Sequence, residues 1–547
     1  MNGIRDLEIK RNNLIYYGIL LCVVVGVVVF SFYPIYKILE VSFYDESGLT
    51  LKHYEGIFRD NYPLLKNTLI TSITSALLST IFGGMIAFYM VFSKERVRKF
   101  FHYILMLTMI SPPFIFGISY ITLFGRRGLI TYRLLGLHTN PYGLKGIILL
   151  QLIGELSFAT FMLYELFKGL DYNLIAVSRS LGANMLESIK RVLLPISVPA
   201  FLGTFFILFT KNLADFGSAV IIGGRYSTLA TEAYLTVIGE GNMPKGSAMT
   251  LLLIFPALLS YVLYRLFLSK KKNEYNQNKG NVLRRVEFSL PIYLKLVLGV
   301  MAWSFFGIML LQYGAIFFSG FYNYTTKGIV FTLEYLERFK LSTLDVFVRT
   351  LIYALIAGFF SAIIGVLISY FNKERDSILI KVIEFFSSLP YIIPGTFFGL
   401  GYILAFNDGV LTLTGTAAIV VLNCIFRQIS IGIKAGDSIL ARFDLNLLKA
   451  GRDLGATKLN LLLDIVLPNL KSAFLIAFVN CFIATMTTIG AIIFLISPGA
   501  NVATVVLFNY VSQGEYGLAS ITALAITLIT FSLNILVVKF LNNGEKE

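Results

Sequence analysis

Ionisable side chains interrupt the apolar segments of this sequence at a few positions. Lys211 and Asp215 lie four residues apart, so on a helix they would share one face and could neutralise each other. The Asp215 carboxylate could instead offer oxygen to a passing hard cation, because such cations prefer oxygen ligands. Ionisable residues within membrane spans are costly and suggest a transport pathway, although hydrogen bonding between helices explains polar groups there about as well. The further candidates are Glu155, Asn212, Arg427, Gln428, Asn480, Thr487 and Thr488.

The residue patterns of common catalytic sites are absent from the sequence. It contains no G-x-x-x-x-G-K-[ST] phosphate-binding loop, no H-E-x-x-H zinc motif and no G-x-S-x-G nucleophile motif. Its three cysteines, Cys22, Cys424 and Cys481, are far apart and lie in apolar runs, which predicts buried thiols rather than a metal site. We therefore expect no catalytic residues, no fixed metal and no cofactor in this chain.

One polar segment occurs twice, about half of the 547-residue chain apart. Residues 171–195 read DYNLIAVSRSLGANMLESIKRVLLP, and residues 444–468 read DLNLLKAGRDLGATKLNLLLDIVLP. Identity at a fixed offset of half the chain indicates internal duplication. The shared residues are Asp171, Asn173, Leu174, Arg179, Leu181, Gly182, Ala183, Leu194 and Pro195, which recur as Asp444, Asn446, Leu447, Arg452, Leu454, Gly455, Ala456, Leu467 and Pro468.

The composition is that of a membrane protein. Hydrophobic residues make up 56% of the chain and charged residues 14%, with a mean hydropathy of +0.76. A soluble domain carries about 25% charged residues. Runs of about 20 apolar residues, long enough to cross a hydrocarbon core of ~30 Å, recur along the chain. We therefore predict an all-α membrane protein with about twelve transmembrane helices in two tandem six-helix halves.

The predicted halves are residues 1–268 and 289–547, joined by a polar, basic cytoplasmic linker at 269–288. Pro112 and Pro113 lie within the third span of the first half, and Pro390 and Pro394 lie within its counterpart, so both spans should be kinked. The predicted spans are 14–38, 65–92, 100–124, 146–168, 196–222 and 248–268, followed by 291–317, 346–371, 382–406, 415–436, 470–497 and 518–541.

Lysine and arginine residues predict the orientation of the spans. With the N-terminus inside, the basic residues near 5–11, 94–99, 168–191, 270–285, 373–381 and 434–458 all face the cytoplasm. The exception is GRRGLITYR at 125–133, which is basic but predicted outside. Both termini and both copies of the repeated segment are therefore expected to be cytoplasmic. The net charge of +15 marks topology rather than a nucleic-acid surface, so no nucleic-acid partner is expected.

Each repeated segment has the features of two short helices joined by a turn. Asp171 or Asp444 can cap the first helix, and Gly182 or Gly455 allows the chain to turn without a Cβ penalty. Pro195 or Pro468 would then end the segment and start the next span. Leu186 and Leu459 are expected to anchor the second helix, and Arg179 and Arg452 are shared basic residues. The alternative is an amphipathic connector lying on the membrane surface.

The two segments resemble the cytoplasmic loop of ATP-binding-cassette importer permeases. That pattern is Glu-Ala-Ala, three residues, Gly, nine residues, then Ile-x-Leu-Pro. Here the glycine is followed at the same spacing by Val192, Leu194 and Pro195 in one copy, and by Ile465, Leu467 and Pro468 in the other. The Glu-Ala-Ala positions depart from the pattern, with Ala176-Val177-Ser178 and Lys449-Ala450-Gly451.

The resemblance implies a type I importer permease fold in a bacterial cell (inner) membrane. It also implies an ATPase dimer that binds ATP and docks on the two loops, and an extracytoplasmic solute-binding protein. Fusion of two halves in one chain is similar to the ferric-iron permease group, so Fe3+ is the expected solute, with Asp215 a candidate transient contact. Thiamine, 2-aminoethylphosphonate or a polyamine is the alternative solute. An ion-gradient-driven secondary transporter also has repeats and twelve spans, but it needs no paired loops with shared spacing.

Overall fold

The protein is mostly helical in the residues that its computed structural model describes, which are 2–45, 48–138, 140–170, 173–269, 290–325, 328–374, 377–409, 411–444 and 446–544. Two short antiparallel hairpins are the strands found in that part of the chain. They pair β1 (Tyr44–Asp45) with β2 (Gly48–Leu49), and β3 (Tyr322–Thr325) with β4 (Gly328–Phe331). Each hairpin follows a long apolar helix and precedes a short polar one.

The helices before residue 270 are α1 (Asn2–Val27), α2 (Tyr33–Phe43), α3 (Lys52–Asp60), α4 (Tyr62–Val91), α5 (Glu95–Ile110), α6 (Phe114–Phe124), α7 (Leu144–Lys168), α8 (Asn173–Ser180), α9 (Met185–Ser188), α10 (Leu194–Leu213), α11 (Gly217–Ile222), α12 (Leu229–Ile238) and α13 (Met243–Ser269). Three π-helical segments, Val28–Phe32, Leu129–Leu134 and Ile189–Leu193, lie among them.

The helices after residue 289 are α14 (Ile292–Phe321), α15 (Glu334–Ser342), α16 (Leu344–Glu374), α17 (Ile378–Ile392), α18 (Gly395–Phe406), α19 (Ala417–Leu440), α20 (Asn446–Asp453), α21 (Lys458–Asn460), α22 (Leu467–Asn469), α23 (Lys471–Thr487), α24 (Ala503–Ser512) and α25 (Tyr516–Gly544). A further π-helical segment, Leu461–Val466, precedes α22.

Nine helices in the described part of the chain are long and apolar enough to cross a membrane, and three bent helix pairs raise the number to as many as twelve. The predicted all-α membrane fold is therefore confirmed. The third predicted span of each half is broken rather than kinked. The bend is 106° where α5 meets α6, and 115° where α17 meets α18.

Proline explains both breaks. Pro112 and Pro113 separate α5 from α6, and Pro394 separates α17 from α18. A proline has no N–H to donate and disfavours helical geometry in the residue before it, so two helices meet where one apolar run continues. Pro390, by contrast, lies inside α17.

The fifth predicted spans end earlier than expected. α10 stops at Leu213 rather than at residue 222, and α23 stops at Thr487 rather than at residue 497. Apolar composition continues beyond both ends, which is why hydropathy alone placed the boundaries too late. The chain after α10 makes a turn before the short helix α11.

Contacts divide the chain into two compact units. Unit 1 comprises Met1–Leu51, Leu341–Val506 and Leu528–Glu547, and unit 2 comprises Lys52–Lys340 and Leu507–Thr527. Each unit therefore takes helices from both predicted sequence halves. The division at 268 and 289 stays a prediction about the repeat, and residues 270–288 of the predicted linker lie outside the described residues.

Small residues allow a close helix crossing at equivalent places in the two units. In unit 2, a Cβ placed on Gly83 of α4 would lie 2.6 Å from the Cβ of Ala159 on α7. In unit 1, a Cβ on Gly365 of α16 would lie 2.7 Å from the Cα of Gly432 on α19. Close backbone approach at small residues is a usual way for membrane helices to associate. The repeat thus preserves the same crossing twice.

The burial of the cysteine side chains agrees only partly with the prediction. Cys424 and Cys481 are buried, but Cys22 is exposed, so the prediction of a buried thiol is wrong for that residue. Cys22 lies on α1, a helix with many exposed apolar residues. An apolar run in the sequence does not by itself show which of its side chains face lipid.

We expect Gly365→Val to destabilise the protein by about 1–3 kcal/mol, because the new side chain overpacks the α16–α19 crossing. Thermal unfolding of the detergent-solubilised protein measures this. Gly307→Val in α14 is the matched control, since a Cβ there meets nothing within 4 Å. Equal melting temperatures for the two variants would contradict the importance of the crossing.

Candidate functional site

The two repeated segments fold alike. We call residues 171–195 loop 1 and residues 444–468 loop 2. In loop 1, α8 and α9 are joined by the turn at 181–184, and in loop 2, α20 and α21 are joined by the turn at 454–457. Asp171 lies outside the described residues. The Asp444 carboxylate accepts the Asn446 N–H at 2.9 Å and so caps α20, as the sequence predicted.

Each turn is a Schellman motif built on a left-handed glycine. Gly182 has φ +93° and Gly455 has φ +82°. The Gly182 N–H donates to the Arg179 carbonyl at 3.0 Å, and the Ala183 N–H donates to the Ser178 carbonyl at 3.2 Å. These two bonds satisfy carbonyl groups that the end of a helix leaves without partners.

Loop 2 repeats the same pair of bonds. The Gly455 N–H donates to the Arg452 carbonyl at 2.9 Å, and the Ala456 N–H donates to the Gly451 carbonyl at 3.0 Å. A Cβ on Gly182 would meet no atom within 4 Å. The positive φ of Gly182 and of Gly455 shows that the backbone conformation of each turn requires a glycine.

A side-chain cap starts the second helix of each loop. Asn184 accepts the Glu187 N–H while the Glu187 carboxylate accepts the Asn184 N–H, both at 2.9 Å, which is a full capping box. In loop 2, Thr457 accepts the Asn460 N–H at 3.3 Å. The two caps use different residues at the same position, so identity between the copies did not reveal them.

The two short helices of each loop are held together by complementary pairs. Ser178 and Ser188 of loop 1 share a hydrogen bond of 3.0 Å. The equivalent residues of loop 2 are Gly451 and Leu461, and the Leu461 side chain fills the space that a side chain on Gly451 would occupy. One loop thus uses a hydroxyl pair where the other uses an apolar residue against a glycine.

Pro195 does not end the second helix of loop 1, contrary to the prediction. The helix from Met185 to Leu213 is continuous and contains the π-helical turn Ile189–Leu193 just before Pro195. A π turn shifts the hydrogen bonding by one residue and accommodates the missing N–H. After loop 2, the chain does bend, by 68°, just after α22 and Pro468.

Each turn presents an exposed leucine before its glycine. Leu181 is 83% exposed and Leu454 is 87% exposed, although both are large apolar residues. Of the predicted anchors, Leu186 is 42% exposed while Leu459 is buried at 8%, and Arg452 of loop 2 remains half exposed. Leu181 and Leu454 were not among the predicted contact residues, and their recurrence at the same position was the available signal.

Loop 1 rests on an apolar cluster within unit 2. Its residues Ile175, Met185, Ile189 and Leu193 pack with Leu290 and Leu298, and Leu294 packs against the cluster. Leu294 and Leu298 belong to α14, so the first helix of the second sequence half supports loop 1. Burial of these side chains from water fixes the position of the loop.

Loop 2 is supported by polar contacts with α1. Lys458 donates to the Tyr17 hydroxyl at 3.3 Å, and its ammonium lies 5.6 Å and 5.4 Å from the ring centroids of Tyr16 and Tyr17. Asn12 donates to Asn460 Oδ1 at 3.0 Å and to Thr457 Oγ1 at 3.3 Å. Lys458 replaces Met185 of loop 1, so a cation–aromatic contact replaces apolar packing.

A second polar link joins loop 2 to the end of α16. Arg452 Nη2 lies 3.6 Å from Glu374 Oε1, and the Glu374 side chain is only 7% exposed. Glu374 also accepts a hydrogen bond from the Tyr16 hydroxyl. Loop 2 is therefore connected through charged groups to both α1 and α16.

Among the candidate pathway residues, Lys211 pairs with Glu155 and not with Asp215. Lys211 Nζ lies 3.0 Å from Glu155 Oε2 on α7 and 4.5 Å from the centroid of Phe158. The pairing of Lys211 with Asp215 fails because α10 ends at Leu213, so the two residues do not share a helix face. Asp215 instead accepts from Gln151 Nε2 at 3.0 Å and from the Ser218 N–H at 3.1 Å.

The other candidates are dispersed over both units. In unit 2, Asn212 is buried and its Nδ2 has no hydrogen-bond partner. In unit 1, Gln428 is buried with an unpartnered Oε1, and Thr487 donates to its own helix at the Ile483 carbonyl. The Thr488 carbonyl accepts from Thr504 at 2.9 Å. No group of three or more His, Cys, Asp or Glu able to hold a metal occurs among the described residues.

Known proteins resemble this chain over most of its length. The family described as "Binding-protein-dependent transport system inner membrane component" matches residues 60–273 and 354–542. Each matched segment contains one of the two loops.

Three relatives illustrate the range of the match. The "Ferric transport system permease protein FbpB" of Actinobacillus pleuropneumoniae is 31% identical over 521 residues, 92% of this chain and 75% of the relative. The ferric transport permease FbpB 1 of Haemophilus influenzae is 30% identical over 517 residues, 91% of this chain and 81% of the relative. The "Spermidine/putrescine transport system permease protein PotC" of Escherichia coli is 24% identical over 238 residues, 43% of this chain and 83% of the relative.

Removal of one partner of the Lys211–Glu155 pair should destabilise the protein. We expect Glu155→Gln to lower the free energy of unfolding by about 1 kcal/mol, because Lys211 keeps its charge in an apolar span without a counter-ion. The double variant Glu155→Gln/Lys211→Met should recover most of that loss. Thermal unfolding measures both, and additive losses in the double variant would contradict the pairing.

Proposed function

The chain belongs to the family of binding-protein-dependent transport system inner membrane components, the permeases of ATP-binding-cassette importers, and we propose that its solute is ferric iron. The two relatives that match more than nine tenths of the chain are ferric transport permeases. The polyamine permease is 24% identical and matches less than half of the chain. The higher identity of the ferric permeases, 31% and 30% over more than nine tenths of the chain, is the observation that carries the proposal.

Loop 1 and loop 2 are proposed to dock on the two subunits of a partner ATPase. The exposed Leu181 and Leu454 are suited to enter an apolar groove, and the rigid Schellman turns fix their position. Burial of these two side chains in such a groove would remove apolar surface from water, which favours association. The ATP is bound by the partner, and this chain supplies the membrane path.

Transport then requires that ATP binding change the shape of this chain. The ATPase must bind one state of the permease better than the other, because a ligand shifts an equilibrium only through such a difference. We propose that a movement of the loops reaches the spans through two sets of contacts. Loop 1 contacts α14, and loop 2 contacts α1 and α16.

A solute-binding protein outside the membrane is proposed to deliver the solute. We propose that both termini lie in the cytoplasm of a bacterium, because the loops on that side would carry most of the lysine and arginine residues. The basic segment 125–133 remains the exception to that distribution.

Reconstituted vesicles test the solute directly. With the ATPase and the binding protein present, labelled Fe3+ should accumulate only when ATP is supplied, whereas labelled putrescine should not. Accumulation of putrescine without Fe3+ would reject ferric iron in favour of the polyamine alternative. Accumulation of Fe3+ without any ATPase would reject the ATP-driven mechanism.

The turn glycines should be needed for coupling. We expect the double variant Gly182→Val/Gly455→Val to reduce ATP-driven uptake by about tenfold, since a β-branched residue at positive φ costs about 1–3 kcal/mol and displaces the loop. ATP hydrolysis should continue. The matched control is Gly182→Asn/Gly455→Asn, because asparagine tolerates the left-handed conformation. Normal uptake by the valine variant would contradict the docking role.

Asp215 is proposed to contact the solute transiently. We expect Asp215→Asn to impair Fe3+ uptake more than Glu334→Gln on α15, because Asp215 lies within a predicted span and Glu334 lies between two of them. If Asp215 served only to cap α11, Asp215→Asn would leave the apparent KM for the solute-loaded binding protein unchanged and would lower the thermal stability of the permease. The apparent KM and the thermal stability are therefore both measured. Equal uptake by the two variants would remove Asp215 from the path.

A further inference from the structure

Arg427 is a charged residue in the middle of a membrane helix. The described residues offer it no counter-ion. It lies ten residues after the start of α19, about 15 Å from that end. Its Nη1 atom is buried and has no hydrogen-bond partner, and it forms no ion pair among the described residues. Asp437, the only acid in α19, is about 15 Å further along the helix and accepts from Ser369 at 2.6 Å. An uncompensated charge in such a place is costly.

The N-terminus of α18 is buried and uncapped. Pro394 holds the N-cap position and offers no side-chain hydrogen bond to the first turn. Gly395, Thr396 and Phe397 are buried, and the first backbone N–H groups of a helix have no partner within it. The Thr396 hydroxyl is also buried without a partner. A buried helix start of this kind needs an external acceptor.

The guanidinium of Arg427 lies directly against that helix start. The three atoms nearest to a Cβ built on Gly395 are Arg427 Nη1, Cζ and Nη2, and Nη1 would overlap it. The positive end of the helix dipole and a guanidinium thus meet at one point. These two groups repel each other unless an anion lies between or beside them.

We propose that Arg427 and the first turn of α18 form a binding site for a small oxyanion, such as phosphate. The guanidinium fork matches two oxygens of such an anion, and backbone N–H groups at a helix start are the other usual donors to it. Arg427 as a whole is of intermediate exposure, although its Nη1 atom is buried. Lipid head groups do not supply the anion, because the site lies about 15 Å from the ends of the span.

The other half of the repeat lacks this arrangement. Since Glu155 corresponds to Gln428, the residue corresponding to Arg427 is Gly154. The nearest neighbour of a Cβ on Gly154 is the Phe116 ring of α6, at 3.5 Å. An apolar contact replaces the cation at this position, so the site occurs once and belongs to unit 1.

Asn423 lies about one turn before Arg427 on α19. Asn423 is fully buried, and neither its Oδ1 nor its Nδ2 has a partner. Residues four apart on a helix share a face. The amide can therefore donate to an anion held by Arg427, which adds a neutral donor to the charged one.

Calorimetric titration with inorganic phosphate tests the site in the full-length chain, held in nanodiscs of zwitterionic lipid. The wild-type chain should bind phosphate, and Arg427→Gln should weaken binding about tenfold or more, because hydrogen bonds to charged groups contribute that much. Gly395→Ala should weaken it similarly, since the methyl group displaces the guanidinium. That displacement moves only the tip of a flexible side chain, so this variant keeps the test valid if Arg427→Gln does not fold.

Lys434→Gln is the control for net charge, because Lys434 lies on the same helix with its ammonium 5.1 Å from the centroid of Tyr391. It should bind phosphate like the wild-type chain. Absence of phosphate binding by the wild-type chain overturns the proposal, as does unchanged binding by both Arg427→Gln and Gly395→Ala. Equal weakening by Lys434→Gln also overturns it. None of these results depends on whether iron is the transported solute.

Discussion

Hydrocarbon offers no hydrogen-bond partner, so each backbone N–H and C=O within a membrane span must find one inside the protein. Helices meet this requirement along their length, and the places where helices end or bend are where the sequence has to provide something else. In the two loops, which we propose to lie in the cytoplasm, Schellman turns at Gly182 and Gly455 satisfy the carbonyls at the ends of α8 and α20 in the same way. A π turn precedes Pro195, where an N–H is missing. The buried start of α18, which has no side-chain cap, is a point where the requirement is left open.

Both loops obtain the same backbone from different side-chain contacts. Loop 1 is fixed by apolar packing on α14, and loop 2 is fixed by hydrogen bonds, a cation–aromatic contact and the Arg452–Glu374 pair. The serine pair inside loop 1 becomes a glycine and a leucine in loop 2. The duplication therefore preserves backbone geometry, while the forces that hold it have changed from one half to the other.

Local features were predictable from the sequence, and contacts between helices were not. The turn glycines and the spacing to proline revealed both loops, because each residue type has its own backbone geometry. The partner of Lys211 lies on another helix, at Glu155, and one sequence does not specify how α7 and α10 are rotated about their axes. The early end of α10 was missed because its apolar composition continues past Leu213.

Charge is distributed unequally between equivalent positions of the repeat, and this constrains how the chain can work. Glu155 corresponds to Gln428 and Asp215 to Thr488, so unit 2 carries acidic residues where unit 1 carries neutral ones. Unit 1 carries Arg427 where unit 2 has a glycine. Duplicated helices that served only as scaffold would tend to keep apolar residues at such positions, since each buried charge costs several kcal/mol. In unit 2, the charge of Glu155 is balanced within the protein by Lys211. The guanidinium of Arg427 in unit 1 has no such partner among the described residues, and it is therefore best explained by an anion that the protein itself does not supply.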